Sequence, residues 1–326
     1  MRPIRRILVA VKDPSSRSLP ALRKAAQLAR ATGAELELFH GIADVIYIDA
    51  LQITKQSVGE FESKSRREAL RRLESIAAPL RQQGLKVQST AEWDYPVYEA
   101  IVRRAAANRA DLIVAERHAT RHVAPWLLRF TDWELLRLSP VPVLLVKSPR
   151  AYSRPVVLAA VDPSHAFAKP SRLDNEILRQ AQFLTAALGG TLHAVHAYVP
   201  MAADLAAVGD LTPDITERIE AHARAGAQAG LSRALQGTKI PRTRRHLASH
   251  HPVEAIVKVA RDVRSAIVVM GGVSRSGLKR LFIGNTAERI LDQLACDVLV
   301  VKPPRFASHV SRAKRETRLI TFPALP

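Results

Sequence analysis

Short apolar runs, rich in Val, Ile and Leu, recur along this chain and alternate with longer stretches whose apolar residues fall three and four apart. Ile7-Leu8-Val9-Ala10-Val11 is such a run, and an uninterrupted apolar segment of this length predicts a strand buried on both faces. Leu22, Ala25, Ala26, Leu28 and Ala29 then follow helical spacing up to Gly33, a residue type that closes helices, before Leu36 and Leu38 alternate as in a strand. Phe61, Leu70, Leu73, Ile76 and Leu80 give the charged segment Glu60–Gln83 one apolar stripe, which predicts an amphipathic helix ending at Gly84. Lys86–Trp93 reads as a strand, Val97–Asn108 as a helix, Leu112–Ala115 as a strand, Trp133–Leu138 as a short helix and Pro142–Lys147 as a last strand.

The pattern then starts again. Ile7 to Pro14 matches Val156 to Pro163, both ending in Asp-Pro, and Gly33 to His40 matches Gly189 to His196. Glu99-Ala100-Ile101-Val102 answers Glu254-Ala255-Ile256-Val257, and Val143 to Lys147 answers Val298 to Lys302. Four blocks in one order predict a tandem repeat: residues 1–150, residues 151–304, and a basic, flexible tail over 305–326. Strands that alternate with helices imply parallel pairing through crossovers. The expected fold class is α/β, two tandem Rossmann-like domains, each a five-stranded parallel sheet with helices on both faces. Ligands of such sheets bind beyond the carboxyl ends of the strands, so the turns after the strands are where chemistry is expected.

Composition changes this picture little. Hydrophobic residues at 47% and charged residues at 24% are those of a globular protein, and aromatics at 5% are too sparse for a base-stacking RNA module. The net charge of +19 raises nucleic acid or an anionic surface as a partner, but the basic residues lie in scattered short clusters such as Arg71-Arg72, Arg103-Arg104 and Arg244-Arg245. That scatter argues against a dedicated nucleic-acid interface. No apolar stretch is long enough to span a membrane and Met1 to Arg6 lead straight into a strand, so a cytoplasmic location is expected. The single cysteine, Cys296, lies in an apolar run and reads as a buried structural thiol.

The turn after Ile267-Val268-Val269-Met270 is the richest in chemistry. It runs from Gly271-Gly272 through Ser274, Arg275, Lys279 and Arg280 to Gly284, with Asn285 and Thr286 opening a helix. Glycines admit close backbone approach to phosphate oxygens, and a helix amino terminus attracts anions. A plain surface loop followed by a capped helix fits the same composition. The spacing resembles the universal stress protein family, whose nucleotide-binding members carry Gly-x-x-Gly, nine residues, then Gly-Ser or Gly-Thr; the matching positions are Gly271, Ser274, Gly284 and Asn285, with serine in place of the second glycine. The resemblance covers both copies and is nearest to the tandem type, through Thr131-Asp132-Trp133 and Phe282-Ile283-Gly284-Asn285-Thr286. It implies an adenine-binding role for Asp162 after the first strand of the second copy, ATP or another adenine nucleotide as ligand, and regulatory protein partners. It also implies pairing through the last strands, as an intramolecular pseudo-dimer or a homodimer.

The first copy departs from the pattern. Its equivalent turn, Glu116-Arg117-His118-Ala119-Thr120-Arg121-His122, has no glycine, and Phe130 stands near the place of Gly284, so this copy reads as structural with Asp13 kept as a turn residue. His118/His122 and His250-His251 lack a carboxylate or thiol to complete a metal set and read as solvated; His40 and His196, at matching strand ends, read as structural. Two apolar segments, 41–48 and 197–208, fall where a loop would cover the cleft. The sequence therefore points to a non-catalytic stress-response protein that binds a small anionic ligand, a nucleotide by resemblance, at Asp162, Gly271, Ser274, Arg275, Gly284, Asn285 and Thr286. The alternatives are an ATP-hydrolysing enzyme, a binder of an acyl-bearing or nucleotide-sugar-like ligand under the apolar segments, and a non-specific nucleic-acid binder.

Overall fold

The structure is a computed structural model that describes residues 4–43, 46–49, 55–117, 125–163, 172–199, 212–272, 285–314 and 319–322. The chain forms two compact units. One comprises Arg2–Ala151 together with Ala307–Pro326, the other Tyr152–Phe306.

In the first unit the apolar runs become strands β1 (Arg6–Ala10), β2 (Glu35–Ile42), β4 (Val87–Trp93), β5 (Leu112–Glu116) and β6 (Val143–Val146). They form a parallel sheet in the order β4-β2-β1-β5-β6. The central strand β1 pairs Ile7 with Leu36 on one side and with Leu112 on the other, and Leu8, Leu38, Ile113 and Val114 are fully buried, as a run flanked by neighbours on both edges requires. Helix α1 (Pro20–Thr32) buries Leu22, Ala25, Ala26, Leu28 and Ala29 and stops at Gly33, whose φ of 72° lets its N–H return to the Ala29 carbonyl at 2.8 Å. Helix α2 (Lys55–Gln82) is longer than the stripe from Phe61 to Leu80 suggests, and α3 (Val97–Ala107) follows the expected bounds. Helix α4 (Pro125–Leu138) begins eight residues before the expected Trp133, with proline at its first position, where its missing N–H costs nothing.

Two features of this unit have no local signal in the sequence. Strand β3 (Ile46–Asp49) follows β2 and pairs in parallel with β12 (Leu319–Phe322), Leu319 opposite Ile46. The segment expected to be a flexible tail is instead fastened to the first unit. Ser308 Oγ donates to the Leu138 carbonyl at 3.0 Å, Arg103 donates to the Ser311 carbonyl at 3.2 Å, and Lys314 Nζ lies 2.5 Å from Glu92. Of the basic residues that suggested solvation for this tail, Lys314 has an acidic partner on β4, while Ser308 and the Ser311 carbonyl make the ties to α4 and α3.

The second unit repeats the plan with β7 (Val156–Ala160), α5 (Leu173–Ala187), β8 (Thr191–Tyr198), α6 (Pro213–Ala234), β9 (Arg245–Ser249), α7 (Pro252–Asp262), β10 (Ile267–Gly271), α8 (Asn285–Gln293) and β11 (Asp297–Val301). Its strands are parallel in the order β11-β10-β7-β8-β9. Val157, Leu158, Ala159, Val268 and Val269 are fully excluded from solvent, which places β7 and β10 at the centre of the core. Among the described residues no helix is long and apolar enough to cross a membrane.

Candidate functional site

In the second unit the chain runs from β7 to β8 and β9 on one side and to β10 and β11 on the other, so the order reverses between β7 and β10. In sheets whose strand order reverses in this way, ligands bind outside the carboxyl ends of the strands at the reversal, which here are β7 and β10. Asp162 lies just beyond β7, and Gly271 ends β10. The first turn of α5 joins them. Asp174 Oδ1 accepts the backbone N–H of Asp162 at 3.1 Å, while the preceding residue, buried Leu173, packs on Gly271 so closely that a Cβ there would lie 2.6 Å from Leu173 Cδ2. Glycine at 271 is thus a packing requirement as well as part of a loop motif.

The next residue is held as firmly. A Cβ on Gly272 would come within 2.5 Å of Val300 Cγ1 and 3.1 Å of Lys302 Nζ. Its N–H donates to the Val301 carbonyl at 2.9 Å and its own carbonyl accepts from the Lys302 ammonium, which sits 4.9 Å above the Phe306 ring. Lys302 is buried, so its charge stays beside the start of the glycine loop. His196 is fully buried and its Nδ1–H donates to the Val161 carbonyl at 3.3 Å, bracing the backbone next to Asp162; a carbonyl can only accept, so the proton is on Nδ1.

The structure therefore brings Asp162 and Gly271 together and starts a helix at Asn285. Ser274, Arg275 and Gly284 lie outside the described residues, as do the side chains of Asn285 and Thr286. Leu173, Asp174 and Lys302 were not singled out from the sequence. Only Lys302 left a trace there, as the lysine closing the last strand of both copies, with Lys147 its counterpart.

At the corresponding crevice of the first unit, Asp13 Oδ1 accepts the Ser15 N–H at 2.8 Å and its carbonyl accepts the Ser16 N–H at 3.1 Å, the turn role expected of it. His40 Nδ1–H donates to the Val11 carbonyl at 2.8 Å, matching His196. Glu116 ends β5 where the second unit has glycine. His118 and His122 lie outside the described residues, as does the side chain of Phe130. His251 precedes α7 without capping it through its side chain. Among the described residues no cluster of three or more His, Cys, Asp or Glu could hold a metal ion. Cys296 is half-buried rather than buried, a consequence of its place in the turn just before β11.

A cavity of about 520 Å³ lies beside the carboxyl end of β8, lined by Tyr198, Glu217, Glu220, Arg224 and Gln228 with two alanines. Of the apolar segment 197–208 only the first three residues are described, and Val199 is 47% exposed; the described wall of the cavity sets Glu217, Glu220 and Arg224 of α6 among apolar surface. The arginine clusters are engaged within the fold. Arg71 and Arg72 hold the Glu68 carboxyl down to about 2, Arg103 and Arg104 bind Asp94, Glu99 and Glu37, and Arg245 donates twice to the Ile240 carbonyl.

Residues 3–147 and 156–302 each match the model of the universal stress protein family, so both copies and nearly the whole chain are covered. The chain belongs to the universal stress protein family. It is 27% identical over 310 residues to universal stress protein E of Photorhabdus laumondii, covering 94% of this chain and 98% of that one, and 27% identical over 314 residues to universal stress protein E of Escherichia coli K12. A Pseudomonas aeruginosa PAO1 protein of unknown function has a similar structure, with a TM-score of 0.67 at 25% identity over 92% of this chain and 93% of that one. A universal stress protein of Archaeoglobus fulgidus shares the fold with a TM-score of 0.57 at 18% identity, covering 92% and 97%.

Proposed function

We propose that this universal stress protein is a non-catalytic, cytoplasmic stress-response protein that binds one small anionic ligand, an adenine nucleotide, in the crevice between β7 and β10, and passes that state to protein partners. The observation that carries the reading is the convergence of Asp162 and Gly271 on the first turn of α5, at the reversal of strand order. The carboxylates of Asp162 and Asp174 give the β7 side of the crevice acceptors suited to hydroxyl and amino donors of a nucleoside. Across it, Gly271-Gly272, the Lys302 ammonium and the amino terminus of α8 give the β10 side groups that favour phosphate. Division of one crevice into an acceptor-rich and an anion-favouring half is what a nucleotide requires.

The first unit lacks this division, since Glu116 stands at the end of β5 and Asp13 is committed to its turn. One ligand per chain is therefore expected. The test is native mass spectrometry of freshly purified chain followed by thermal melting with AMP, ADP and ATP. A ligand present at a hundred times its dissociation constant stabilises by about 2.7 kcal/mol, enough to move a melting curve. Co-purification of a nucleotide or such a shift supports the reading; neither, for all three nucleotides, rejects it. Release of inorganic phosphate by pure protein at a rate abolished in Asp162→Ala would reject the non-catalytic part.

A further inference from the structure

His193 on β8 and His246 on β9 stand on neighbouring strands, with Nδ1 of the first 2.9 Å from Nε2 of the second. Their ring planes differ by only 5° and their centroids are 5.2 Å apart. Two parallel imidazoles with that centroid separation and that N···N distance lie edge to edge in one plane, joined by a single N–H···N hydrogen bond, and are not stacked face to face. Such a bond needs a donor on one ring and a lone pair on the other. It exists with one proton between the facing nitrogens and cannot survive when both carry one.

We propose that His193 and His246 form a proton-sensitive clasp that holds the edge strand β9 onto β8 near neutral pH and releases it on acidification. Strand β9 has a neighbour on one side only within its unit, and all five of its residues are half-buried, so its protection leans on the pairing with β8 that this bond reinforces. The clasp is at its amino end, where Arg245 faces Ala194 and His246 faces Val195. At the other end of the pairing Ser249 faces Tyr198, the β8 residue that lines the cavity against α6, so the released strand borders that cavity without forming its wall. This inference does not depend on the ligand assigned to the β7–β10 crevice.

The charged groups around the pair favour its neutral state on balance. Burial lowers the His193 pKa below the usual histidine value, and His246 and Arg244, from the turn before β9, lower it further. Burial also lowers His246, opposed by Asp262 at the end of α7. Both folded-state values therefore lie below the unfolded value near 6.5, the unfolded chain binds protons first, and stability falls as pH drops through and below 6.5. Above that range the contribution is intact.

The first repeat supplies a control. Aligning Gly33–His40 with Gly189–His196 sets Glu37 against His193, and the strand registers set Thr90 against His246. Glu37 and Thr90 are joined by a 2.7 Å hydrogen bond at the same place, without a histidine. Hydrogen exchange of the full chain, corrected for intrinsic rates, compares β9 with β4. Between pH 7.5 and pH 5.0 the protection of residues 245–249 is expected to fall several-fold, while residues 87–93 change less than about twofold. His246→Thr, which installs the residue of the first repeat, should flatten the β9 response. In the unaltered chain, proton NMR of the two imidazoles should show two separated steps. Equal losses in β4 and β9, an undiminished response in His246→Thr, or a single ordinary titration of both rings near 6.5 would each overturn the clasp.

Discussion

At one place in the fold the two repeats have chosen opposite chemistry. In the first, the Glu37 carboxylate, 1% exposed, accepts hydrogen bonds from Thr90, Arg104 and Asn108. In the second, His193 and His246 replace the acid and the threonine, and the residues in register with Arg104 and Asn108 are Val259 of α7 and Val263 just after it. One repeat has a fixed charge surrounded by donors, the other a neutral pair whose bond is lost once both rings are protonated. The same division recurs at the carboxyl ends of the strands. The first repeat adds the Asp94–Arg103–Glu99 cluster and the returning chain end, with Asp13 and Glu116 where a ligand would sit, whereas the second keeps glycines at 271 and 272 and an aspartate at 162. One copy is thus braced by buried ion pairs at the places where the other keeps glycines and a neutral histidine pair.

The largest expected effect is in the supporting copy. Asp94 is held by two Arg103 bonds of 2.7 Å, and both side chains are almost completely buried, so Asp94→Ala strips the buried guanidinium of its bidentate partner and leaves it Glu99 alone among carboxylates. A loss of about 3–5 kcal/mol is expected from the first unit, read as an early transition in urea unfolding that leaves the second unit's transition in place. Unfolding of both units together with no separate early transition would show that the copies do not divide the work in this way.

Ending the chain at Phe306 should cost less. It removes the bonds made by Ser308, Ser311 and Lys314 and the strand that pairs with β3, an expected loss of about 1–3 kcal/mol confined to the first unit. Faster hydrogen exchange in α3 and β3, with the second unit unchanged, is the measurement that checks it. Smaller again is Lys314→Ala, because that lysine is 60% exposed: about 0.5 kcal/mol or less, vanishing in high salt. An effect that persists in high salt would mean that packing, not charge, fastens the segment.

The sheet order was legible in the sequence because buried strands must be written as continuous apolar runs, and the repeat doubles every signal. Asp162 and Gly271 were legible through motif position, and Asp13 through its Asp-Pro turn. Four things were not. The early start of α4 was hidden because Pro125 reads as a breaker unless it is recognised as a first helical residue. Arg103-Arg104 reads as a surface cluster because Glu37, the partner of Arg104, lies 67 residues away, and no local pattern announces the pairing. The fastening of 307–314 and 319–322 escaped for the same reason, its partners on α3, α4, β3 and β4 being set by tertiary approach alone. Leu173 was missed because its effect on the site is to forbid a side chain at Gly271, a negative constraint that only coordinates reveal.

The central claim is that the second crevice alone takes the ligand. Isothermal titration of the full chain with AMP, ADP and ATP measures this most directly, run on the unaltered protein, on Asp162→Ala and Gly271→Val, and on Asp13→Ala. The account predicts one site per chain, lost or weakened at least about tenfold when either second-copy residue is changed and unaffected by the first-copy change. Two sites per chain, or a single site abolished by Asp13→Ala and indifferent to Asp162→Ala and Gly271→Val, would contradict it.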